Sequence, residues 1–182
     1  FYSDGDNVYQ TELLAGQTFA LQPDRWSKIE ASIKGQLDYT HSVLKGPIQW
    51  EIDNEDYDTM SAEGYGEVVD HYVNLIKKNY PDDQVLVVFS RGYHQYPEPG
   101  REALGAEWNK TLIAYLTKVN VLSKIDYFVI HYYFNSEADI IDQTGKPSID
   151  GNTQQPFFFD MMKDIKSYFP SSYTPKFYFT EF

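Results

Sequence analysis

Apolar residues along the chain switch repeatedly between a helical and a strand spacing. Residues 1–24 are rich in Gly, Asp, Asn and Gln and read as a loop ending on Asp24, a candidate N-cap. Trp26, Ile29, Ile33, Leu37 and Val43-Leu44 then share one face of a helix predicted over 25–44. Gly46-Pro47 punctuates, and Ile48-Gln-Trp-Glu-Ile-Asp-Asn54 alternates with period two, as a strand does. Ser61 opens a second helix to about Asn79, with Tyr65, Val68, Val69, Tyr72, Val73 and Ile76 aligned, before Pro81-Asp82-Asp83 breaks it. The unbroken apolar run at 85–89 has the character of a parallel strand buried on both faces. A third helix over 101–119 carries Leu104, Trp108, Leu112, Ile113 and Leu116. It is followed by a strand at 125–133, a polar insertion at 135–155, a helix near 156–168 and a last strand at 176–182.

Helix and strand alternate strictly, which is the signature of an α/β protein with a parallel sheet. Four such units amount to the central half of a (β/α)8 TIM barrel, or to a small open sheet. An open doubly wound sheet usually carries a Gly-rich phosphate turn after its first strand. Neither G-x-G-x-x-G nor G-x-x-x-x-G-K-[ST] occurs here, which favours the barrel. The sequence ends on an apolar strand with no turn after it, so 1–182 reads as part of one catalytic barrel domain. The remainder of that barrel is expected from the same longer chain.

Composition narrows the function. The chain has 182 residues and a net charge of −12, and its longest basic run is Lys77-Lys78, so a phosphate backbone would be repelled and nucleic-acid binding is excluded. No uninterrupted apolar stretch approaches the ~18 residues of a membrane span. With no Cys there is no disulfide framework, thiolate metal site or Cys nucleophile. His41, His71, His94 and His131 lack H-E-x-x-H or other paired spacing, so no metal is expected. Asp4-Gly-Asp6-Asn7 lacks the further ligands of a calcium loop. There is no G-x-S-x-G nucleophile elbow. Aromatics make up 17% of the residues, which suits a protein that handles sugars as well as it suits a core.

In a parallel barrel the chemistry sits at the C-terminal strand ends. Here those ends carry Asn54-Glu55, Ser90-Arg91, His131-Tyr132-Tyr133 and Thr180-Glu181. Two of the four present a Glu, and a pair of carboxyl groups is what glycoside hydrolysis needs. Glu at a solvated strand end is also common, so spacing alone leaves both readings open.

The segment from Ile48 to Glu55 resembles the strand-four motif of retaining glycoside hydrolases of clan A, which ends in Asn-Glu. Phe177-Tyr-Phe-Thr-Glu181 resembles their strand seven, and His131-Tyr132-Tyr133 resembles the His-x-Tyr of strand six. The likeness covers about residues 25–182 as strands four to seven. It implies that Glu55 is the acid/base and Glu181 the nucleophile, with Asn54 on the sugar 2-hydroxyl. Tyr133 would orient Glu181, and His131 would line the same pocket. No cofactor is implied, and retention would require carboxyl groups ~5–5.5 Å apart. Asp53 departs from the pattern, since several branches of the clan carry Gly there.

The wording of the first motif is similar to the arabinofuranosidase and β-xylosidase branches; the long insertion after strand six suits the β-agarase and β-porphyranase branch. Long aromatic loops favour an endo-acting enzyme on a plant or algal polysaccharide, and hence a secreted, periplasmic or cell-surface protein. Tyr93, His94 and Tyr96, in the loop after the second strand, are candidates for substrate contact. Trp50 and Trp108 read as packing residues, and Arg91 as the partner of a neighbouring acid. The rival reading is a non-catalytic carbohydrate-binding or scaffold protein on the same fold.

Overall fold

A computed structural model describes residues 23–53, 61–90, 104–131 and 158–179. The elements run α1 (Pro23–Val43), β1 (Gln49–Ile52), α2 (Ala62–Asn79), β2 (Gln84–Phe89), α3 (Leu104–Lys118), a 3-10 turn (Leu122–Lys124), β3 (Tyr127–Ile130), α4 (Phe158–Ser167) and β4 (Phe177–Tyr178). The order is the alternation expected from the sequence, and the protein is α/β. The strands lie in the order β1-β2-β3-β4, and every neighbouring pair is parallel. Crossovers between parallel strands are right-handed almost without exception, and sequential parallel neighbours then carry their connecting helices on one face, as in a segment of a β/α barrel.

Three boundaries differ from the sequence reading. Pro23 is the first residue of α1, so Asp24 lies in the first turn and is not its cap. Proline suits that place because its φ is already helical and its missing N–H would have no helical partner there. Val43 and Leu44, at and just past the end of α1, are 58% and 55% exposed, so the apolar face predicted for this helix is not buried to its end. Strands β1, β3 and β4 are also shorter than the segments predicted for them, whereas β2 covers its whole apolar run.

The register divides the sheet into two faces. Trp50, Ile52, Val85, Val87, Phe89, Phe128 and Ile130 share one, and Glu51, Leu86, Val88, Tyr127 and Val129 share the other. The first face packs on the helices. Phe169, just past α4, meets Phe89 and Phe128 with ring centroids 5.9 and 4.9 Å apart. All six apolar residues predicted for α2 are buried, and Trp108 of α3 packs on the Tyr65 ring. Ser61 caps α2, its side chain accepting the Gly64 N–H at 3.1 Å. Gly66 allows α2 and α3 to approach closely, since a Cβ there would lie 2.6 Å from the Tyr115 ring. On the second face Leu86, Val88 and Val129 are buried as well.

A polar knot ties the N-terminal strand ends. Asp83, 2% exposed, accepts from the Trp50 indole at 2.6 Å and the Ile48 amide at 3.0 Å, and pairs with His41 Nε2 at 2.7 Å. Burial by itself would raise the Asp83 carboxyl. The hydrogen bonds from Trp50, His41 and Ile48, together with the His41 charge, outweigh it and hold the group below the ordinary carboxylate value. Lys77 Nζ bridges the Asp83 carbonyl at 2.6 Å and Asp126 at 2.7 Å, and Asp126 also accepts the Val85 amide at 2.8 Å. The knot lies at the strand ends away from barrel chemistry, where side chains serve stability. Trp50 takes part in it, so its reading as a packing residue holds.

Candidate active site

The opposite ends of the strands are held by three different devices. The first is a hydroxyl placed in the sheet. Gln84 N–H donates to the Ile48 carbonyl at 2.8 Å, starting the β1–β2 ladder. At the two-residue step of a parallel ladder, the Val88 N–H faces the Ile52 carbonyl, and Ile52 is still paired with Val87. The Tyr65 hydroxyl bonds to both groups. It accepts from Val88 N–H at 3.1 Å and donates to the Ile52 carbonyl at 2.6 Å. A side chain of α2 thus ties β1 to β2 at the end of their ladder. Tyr65 is fully buried, so its polar tip requires partners of this kind.

Asp53, next along the chain, has φ 60, in the left-handed region that favours glycine. The backbone at Asp53 is therefore one that suits Gly. Aspartate is among the few other residues that tolerate it, because its short polar side chain can bond locally. This bend re-aims the chain immediately before Asn54-Glu55.

The second device fixes the end of β2. Asn109 of α3, fully buried, accepts the Ser90 N–H at 3.0 Å and donates to the Ser90 carbonyl at 2.8 Å. One amide side chain satisfies both backbone groups at the point where the chain leaves the sheet.

The third device crosses the sheet. His131 follows β3 directly and is fully buried. Its Nε2 lies 2.9 Å from Glu51 Oε1 of β1. The two strands are separated by β2, so the pair spans it on the face away from the helices.

Of the residues proposed from sequence, His131 is thus placed at a C-terminal strand end. Glu55, Asn54, Tyr133, Glu181, Tyr93, His94 and Tyr96 lie outside the described residues, as does Arg91. The sequence reading missed Glu51, Tyr65 and Asn109 as polar groups at this end. The signals were present. Alternation puts Glu51 opposite Trp50 and Ile52, while Tyr65 and Asn109 are polar groups on helix faces otherwise built of apolar residues. Among the described residues no three ligating side chains converge as a metal site would require, and no helix is long and apolar enough to cross a membrane.

No family model matches the sequence, and no curated protein matches it. Among solved structures the chain is similar to AbfB, a family 51 alpha-L-arabinofuranosidase from Bifidobacterium longum, with 21% identity and a TM-score of 0.41. The similarity covers 72% of this chain and 26% of that one, so the chain spans about a quarter of the length of that protein.

Proposed function

We propose that the chain is part of a retaining glycoside hydrolase that cleaves O-glycosidic bonds by double displacement. Glu55 is the acid/base and Glu181 the nucleophile. One observation carries the reading. The sheet is parallel and sequential from β1 to β4, so the segments that lead on to Glu55 and Glu181 leave the sheet from the same end. In an α/β barrel that end is where reacting groups gather.

In the first step the Glu181 carboxylate attacks the anomeric carbon while the Glu55 carboxyl gives its proton to the departing oxygen, leaving a glycosyl ester. In the second, Glu55 takes a proton from water, the water oxygen displaces Glu181 from the same carbon, and both carboxyl groups regain their starting states. Asn54 hydrogen-bonds the sugar 2-hydroxyl, Tyr133 holds Glu181, and Tyr93, His94 and Tyr96 contact the substrate. The substrate is a plant or algal polysaccharide attacked internally, which places the enzyme outside the cytoplasm or on the cell surface.

The test uses the full-length protein on agar, porphyran, xylan and arabinan, with NMR reading the anomeric configuration of the first product. Retained configuration, and loss of turnover in Glu181→Gln, are expected. An inverted first product would remove Glu181 as nucleophile, and an active Glu181→Gln would remove it from the mechanism.

A further inference from the structure

We infer that Glu51 is a positioning residue, which fixes the proton of His131 on Nε2 and braces the strand leading to Glu55 against the strand leading to Tyr133. The inference deepens the glycosidase reading, and its catalytic consequence rests on it.

Glu51 and His131 come from strands that do not touch. Their contact exists because both side chains project from the face opposite the helices, across β2, with Val88 of that strand buried on the same face. His131 is fully buried, while the Glu51 side chain is 27% exposed. The carboxylate therefore keeps partial hydration while it accepts from a ring that has none. An ionised carboxylate can only accept a hydrogen bond. At 2.9 Å from Glu51 Oε1, the Nε2 atom must therefore carry hydrogen whether the ring is neutral or cationic. In the neutral ring this makes Nδ1 the acceptor nitrogen, and the orientation of the imidazole is set with it.

The brace also has a mechanical side. Glu51 lies four residues before Glu55, and His131 two before Tyr133. The Tyr65 hydroxyl ties the Ile52 carbonyl to the Val88 amide near this level. The Glu51–His131 contact adds a second tie, from β1 across β2 to the end of β3, on the face away from the helices.

The experiment labels histidine with nitrogen-15 in the full-length protein, assigns His131 by single substitution of the four histidines, and reads its ring shifts and couplings. Wild-type protein is expected to show the Nε2–H form, and Glu51→Gln to lose that fixed pattern, because an amide can either donate to Nε2 or accept from it. A wild-type His131 in the Nδ1–H form, or one unchanged by Glu51→Gln, would overturn the assignment. On a substrate that the wild type cleaves, Glu51→Gln should lower kcat by about 10- to 100-fold with KM little changed, as misplacement near the reacting groups does. An unaltered kcat would overturn the catalytic consequence. If the wild type cleaves no glycoside, the function proposed above fails while the NMR result still decides the role of Glu51. Should Glu51→Gln not fold, the wild-type ring form remains decisive.

Discussion

Replacing Asp83 with alanine removes the acceptor on which three donors from other segments converge. The Trp50 indole, the Ile48 amide and the His41 ring all lie within 3.0 Å of its carboxylate. A hydrogen bond to a charged group contributes about 1.5–3 kcal/mol, and stranded donors forfeit their desolvation in addition. His41 retains 17% side-chain exposure and can be rehydrated in part, so its share is the smallest. The expected loss for Asp83→Ala is about 3–5 kcal/mol. Asp83→Asn keeps the shape but presents an N–H₂ to at least one of the donors, and should fall between alanine and wild type. Urea unfolding followed by far-ultraviolet circular dichroism measures both, with the slope on urea expected to stay constant. Acid supplies a second arm. The Asp83 carboxyl is held below its ordinary value of 3.8, so the unfolded chain binds the proton more readily than the folded one. Its stabilisation is complete above the unfolded value and fades as pH falls through the folded one. The gap between wild type and Asp83→Asn should therefore be full at neutral pH and close below about pH 3.8. Two variants within ~0.5 kcal/mol of wild type, or a gap indifferent to acid, would refute the reasoning.

Two glycines predict opposite outcomes for the same substitution. Nothing lies within 4 Å of a Cβ built on Gly35 in α1, so Gly35→Ala should stabilise by up to ~1 kcal/mol through helix propensity. Gly66→Ala should destabilise by about 1–3 kcal/mol, because its Cβ would meet the Tyr115 ring at 2.6 Å; Tyr115→Ala in the same chain should return part of that loss. Thermal unfolding of the single and double variants checks the pair. Tyr65→Phe deletes a hydroxyl that serves two backbone groups and should cost about 1–3 kcal/mol in urea unfolding. A Tyr65→Phe protein as stable as wild type would mean that the two hydroxyl bonds add nothing to the pairing of β1 with β2.

The element order was legible because each segment repeats its own period several times. On α2 six aligned apolar residues leave little choice of face, and the run at 85–89 could only be a buried strand. What the periodicity does not carry is register. Alternation assigns Glu51 a face, but its meeting with His131 depends on which residues of β1, β2 and β3 stand level, and that is a property of the pairing. Asp83 shows the same limit in another form. Read in sequence, it is the end of a helix-breaking Pro81-Asp82-Asp83; in three dimensions it is an almost fully buried acceptor. Local rules see the break, whereas the donors it collects lie more than thirty residues away. The end of α1 failed for a simpler reason. Periodicity continues for as long as apolar residues are available, while burial stops where the neighbouring element does. At the candidate site, His131 sits at a strand end as the order of elements requires. Glu55 and Glu181 are proposed from motif and position, and both lie outside the described residues.

The Tyr65 hydroxyl has a consequence for the order of folding. Strands β1 and β2 can begin to pair from Gln84 N–H and the Ile48 carbonyl without help from any helix. The far end of the pair gains two further bonds only from α2, through the Tyr65 hydroxyl on the Ile52 carbonyl and the Val88 N–H. A strand pair without its helix would lack both and would fray more readily at that end than at the other.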